Sequence, residues 1–76
     1  MTDPDILDAR GLLCPLPVLK ARKALSHLPE GAVLRVLTDD PAARIDMPHF
    51  CFEAGHALIA DTAVEDWHEF TLRKGG

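Results

Sequence analysis

The 76 residues predict an α+β fold, a two-layer α/β sandwich in which a four-stranded mixed sheet carries two helices on one face. The prediction rests first on the order of hydrophobic periods along the chain, which reads β-α-β-α-β-β. A leading β-α-β unit implies two parallel strands joined by a right-handed crossover, and the closing pair of strands implies a hairpin. Finally, four strands and two helices in so short a chain leave room for two layers only.

Taken in order, Ile6 to Ala9 reads as a short strand, broken by Gly11. From Cys14 the period becomes helical. Leu16, Leu19, Ala21, Ala24, Leu25 and Leu28 fall on one side, and Lys20, Arg22, Lys23 and Ser26 mostly on the other. Pro29 and Gly31 stop this helix. "AVLRVLTDD" is aliphatic and β-branched, the length of one strand. Asp40 before Pro41 has the chemistry of a helix cap and first position. Met47, Phe50, Cys51 and Ala54 then form a stripe, and Gly55 is placed to end the helix. Pro48 leaves two options: a helix starting near Met47, or one running from about Ala42 through the proline. "HALIADT" and "WHEFTLR" read as the last two strands, joined through "AVED". On the face of the sheet away from the helices, Val33 and Leu37 predict a somewhat apolar surface. The chain is expected to be a single domain over residues 1–76, with residues 1–5 and 74–76 flexible.

Composition excludes several classes. Apolar residues make up 47% and charged residues 26%, the balance of a soluble globular protein. No stretch is apolar enough to span a membrane, and the acidic start "MTDPDILDAR" has no signal-peptide character, so a cytoplasmic location without membrane contact is expected. A net charge of −4 opposes direct nucleic-acid binding. The two cysteines lie 37 residues apart, which is no metal-binding spacing; no metal site and free thiols are expected. Between Ala9 and Pro29, however, Arg10, Lys20, Arg22 and Lys23 occur without an acid, whereas the rest holds twelve acids and four bases.

Cys14 sits in that positive stretch. With Cys14 as N-cap, Pro15 and Pro17 fall in the first turn, where the missing N–H is not needed and a fixed φ suits the backbone. A thiolate at the positive end of a helix is favoured over a thiol, so Cys14 is expected to be exposed and of lowered pKa. The pattern alone leaves open the alternative of a small buried hydrophobe.

"LDARGLLCPLPVLKARKAL" together with "DDPAARIDMPHFCFEAGHAL" resembles the TusA/SirA family of small sulfur carriers. The likeness comprises an acidic residue and Gly before Cys-Pro-x-Pro, then Asp-Pro, Asp-x-Pro-x-Phe-Cys and Gly-His, and it runs from Ile6 to about Leu72. The resemblance implies a two-layer sandwich like the C-terminal domain of translation initiation factor 3. It implies a sulfurtransferase that holds sulfur covalently as a persulfide on Cys14, with no cofactor. It implies a persulfide donor such as a cysteine desulfurase or a rhodanese, and an acceptor in tRNA thiolation, molybdenum-cofactor synthesis or sulfur oxidation. Gly11, Pro15, Pro17 and Asp46 would shape the cysteine loop, as would Asp8, and Arg10, Lys20, Arg22 and Lys23 would recruit partners electrostatically.

The remaining features have plainer readings. Cys51 lies in the stripe of the second helix and reads as core. The histidines form no convincing site: His49 and His68 read as surface residues, His27 suits a helix C-terminus, and His56 reads as structural. Gly75 and Gly76 raise the rival of a ubiquitin-like carrier that uses a C-terminal thiocarboxylate, but that fold would open with a hairpin before its first helix. A non-catalytic regulatory or protein-interaction module of the same fold is the alternative from another class.

Overall fold

The computed structural model describes residues 5–75. The elements are β1 (Asp5–Asp8), α1 (Leu16–Ser26), β2 (Val33–Thr38), α2 (Ala43–Ala54), β3 (Ala57–Val64) and β4 (Trp67–Arg73). The order is the expected one. The sheet runs β1-β2-β4-β3, with β1 parallel to β2 and the other pairs antiparallel. A parallel first pair excludes the ubiquitin-like arrangement.

Side-chain alternation decides which face the helices cover. Leu34, Val36 and Thr38 on β2 and Phe70 and Leu72 on β4 are buried, and the register sets Leu34 against Leu72 and Val36 against Phe70. Ala21 and Leu25 from α1 and Ala43, Met47, Phe50 and Cys51 from α2 complete this core. On the other face Val33 and Leu37 are half-buried, and Arg35 lies between them on Glu69 at 2.5 Å, so that surface carries an ion pair as well as apolar side chains.

α1 starts one residue later than expected and turns a different side inward. Its buried row is Pro17, Ala21 and Leu25, whereas Leu16 and Leu19 are 44% and 50% exposed. Pro17 in the first turn supplies apolar contact there, and Ala21 allows close approach to the sheet. α2 takes the second option for Pro48 and runs through it from Ala43. Pro48 is the sixth of the twelve residues, past the first turn, so its missing N–H costs the helix one internal bond, and Met47, Phe50 and Cys51 beside it are buried. Gly55 ends α2 with φ 79°, the left-handed conformation glycine adopts without penalty, its N–H on Cys51 O.

The expected flexible ends need correction where the structure describes them. Asp5 pairs with Leu34 in β1. Lys74 exchanges backbone bonds with Gly31 and Ala32, its Nζ donates to Leu28 O at 2.7 Å, and Gly75 N–H donates to His56 Nδ1 at 3.0 Å. Residues 1–4 and 76 lie outside the described residues.

Candidate functional site

The loop from β1 to α1 is held by carboxylates arriving from the β2–α2 connection. Gly11, at φ 84°, donates its N–H to Asp39 Oδ1 at 3.0 Å. Cys14 N–H donates to Asp40 Oδ2 at 2.6 Å, and Asp40 Oδ1 accepts from Ala42 N–H at 3.2 Å. Asp40 therefore does not cap α2 as expected: Ala42 is the cap residue, and the Asp40 side chain ties the two helix entrances together. Thr38 is fully buried, and its hydroxyl accepts from Asp40 N–H at 3.3 Å, fixing that loop to the end of β2.

Cys14 is exposed, and its thiol donates to Asp46 Oδ2 at 2.8 Å. Two expectations are corrected here. Cys14 is not the N-cap: α1 begins at Leu16 with Pro15 in the cap position, and no side chain caps it. The peptide bond between Cys14 and Pro15 is cis. Nor is the thiol made more acidic. The hydrogen bond to the Asp46 carboxylate, with smaller contributions from desolvation and from the charges of Asp46 and Asp40, holds Cys14 above its ordinary pKa. A thiolate in that place would face two like charges. Cys51, by contrast, is 2% exposed, and burial pushes its thiol up as well.

The thiol stands at the end of an open groove of about 440 Å³ between the helices. Pro15, Val18 and Arg22 line it from the α1 side, and Asp46, His49, Phe50 and Glu53 from α2. Both sets have helical spacing, so each helix presents one continuous side to the groove. The Arg22 guanidinium lies 5.4 Å from the Phe50 ring centre, within cation–π range. His49 and Glu53, 3.4 Å apart, form the exposed rim.

Of the four cations singled out by sequence, only Arg22 lines this groove. Arg10 is committed elsewhere: it forms a two-pronged pair with Asp8 at 2.9 Å and lies 4.8 Å from the Trp67 ring centre. The same pair holds the Asp8 carboxyl down to about 2. Lys20 and Lys23 are exposed on α1 outside the groove. Pro17 is buried beneath the loop. Asp40, His49 and Glu53 were not singled out as site residues. The spacing Asp46, His49, Phe50, Glu53 on one helical stripe was the available signal for the α2 side. His68 is not the surface residue expected. Its side chain is 14% exposed and bonds Asp61 through Nε2.

Fold and site together define a small α+β protein that presents one accessible thiol at the mouth of a groove between two helices. The sequence profile of the family described as Sulfurtransferase TusA matches residues 5–74. A sulfur carrier protein TusA from Pseudomonas savastanoi is 39% identical over 97% of this chain and 88% of its own length. One from Pseudomonas syringae is 43% identical over 90% and 81%. The crystal structure of a SirA-like protein from Desulfitobacterium hafniense superposes with a TM-score of 0.81 at 32% identity, covering 93% of this chain and 97% of that one. The chain belongs to the TusA family.

Proposed function

We propose that this protein is a sulfur carrier that accepts persulfide sulfur on Cys14 from a donor protein and relays it to an acceptor protein. The observation that carries the reading is the contrast between its two thiols: Cys14 is exposed at the groove mouth, while Cys51 is sealed in the core. The curated relatives bearing the name sulfur carrier point the same way. A cysteine desulfurase or a rhodanese would be the donor. tRNA thiolation, molybdenum-cofactor synthesis or sulfur oxidation would be the destination.

The groove suits a protein donor. A cysteine persulfide on a flexible arm reaches an open thiol more readily than an enclosed one, and Val18 with Arg22, seated over the buried Phe50 ring, offers contacts along the approach. Sulfur travels by covalent nucleophilic transfer divided between proteins, and no cofactor is needed. The test is intact mass after incubation with a cysteine desulfurase and cysteine. The gain is one sulfur atom, reversed by a thiol reductant and absent in Cys14→Ser. No gain with any persulfide donor would favour an interaction module of the same fold.

A further inference from the structure

We propose that Asp46 receives the Cys14 proton when sulfur is taken up, and that until then it keeps Cys14 as an idle thiol. The inference rests on the sulfur-carrier reading and deepens it. Cys14 Sγ lies 2.8 Å from Asp46 Oδ2, so the proton that must leave is already directed at a carboxylate. The neighbouring carboxylate is engaged with backbone: Asp40 holds Cys14 N–H with one oxygen and Ala42 N–H with the other. Among the described residues, the side-chain bond of Asp46 is the one from the thiol. Asp46 also sits in the first turn of the twelve-residue α2, which fixes its backbone opposite the Cys14 loop.

The charged and titratable groups around the sulfur come from three elements: Arg22 from α1, Asp40 from the loop before α2, and Asp46, His49 and Glu53 from α2. Acids predominate among them, and they favour the thiol over the thiolate. A donor persulfide R–S–S–H changes the balance by bringing both an electrophile and a proton acceptor. The proton passes from Cys14 Sγ to Asp46. The freed sulfur attacks the terminal sulfur of the donor. The donor S–S bond breaks, its electron pair leaves with R–S⁻, and Asp46 returns the proton to that thiolate. Cys14–SH and R–S–SH become Cys14–S–SH and R–SH, with no oxidant or reductant consumed. Asp46 holds the proton only in passage and ends the step as it began.

Asp46→Asn separates the two roles. The rate of alkylation by iodoacetamide against pH reads the ionisation of Cys14. Intact mass against time, with a persulfide-loaded cysteine desulfurase as donor, reads sulfur uptake. The expected result is an alkylation midpoint moved to lower pH, because the opposing carboxylate is gone, with uptake slowed by about 100-fold. Asp46→Glu keeps a carboxylate in the turn and recovers part of that loss. Uptake by Asp46→Asn at the parent rate would overturn the proposal, as would equal slowing of alkylation and uptake, which is what a purely loop-shaping residue predicts. A parent protein that takes up no sulfur would overturn the carrier reading itself, whereas a parent that loads normally beside an Asn variant that loads equally well removes only the role of Asp46.

Discussion

Two fields compete at the Cys14 sulfur. A helix start favours an anion, but its influence fades beyond the first turn, and Cys14 lies ahead of the cap position. The Asp46 carboxylate is in direct contact at 2.8 Å and favours the thiol. Contact wins, so the alkylation midpoint of Cys14 is expected above that of free cysteine; a midpoint below it would mean that the helix field dominates. The sign of the linked stability follows. A folded-state pKa raised above the unfolded value means the contact contributes fully below the unfolded thiol pKa and is lost as pH climbs through the folded one. The candidate thiol was legible in the Cys-Pro-x-Pro stretch, and Cys14 is indeed exposed. Its ionisation was not, because the decisive carboxylate is 32 residues away in sequence and reaches the thiol only through the packing of α2 beside α1.

The helices divide cleanly into a side that builds the core and a side that builds the site. In α2, Met47 is fully buried and Ile45 is 75% exposed. Met47→Ala is expected to cost about 2–5 kcal/mol, read from the urea midpoint at unchanged slope. Ile45→Ala is expected to change stability by no more than about 0.5 kcal/mol. Similar losses at both positions would contradict this orientation. Most of α2 was legible: the stripe of Met47, Phe50 and Cys51 and the stop at Gly55 stand as read, although Ala54 is exposed. α1 was harder. Its apolar residues are spread widely enough to fit more than one inward side, and the proline that anchors the true one, Pro17, does not count as apolar in a periodicity argument.

At the scale of the whole molecule, the element order was readable, but the insertion of β4 between β2 and β3 was not, since local periods carry no strand order. The end of the chain is also set by tertiary contact. A Cβ added at Gly75 would lie 1.8 Å from Gly55 O, so close an approach that only glycine fits. Gly75→Ala is therefore expected to break the bond to His56 and free the terminal segment, seen as a changed His56 ring signal by NMR, while sulfur loading persists. An unchanged His56 signal would contradict the docking of this segment, and lost loading would revive a role for the Gly-Gly end. The most direct test of the central claim is to locate the sulfur. The loaded protein is alkylated at low reductant, cut with trypsin and weighed peptide by peptide. The account predicts the extra sulfur on the peptide Gly11–Lys20, which carries Cys14, and none on Ile45–Arg73, which carries Cys51. Sulfur on the Cys51 peptide, or on neither, would contradict it.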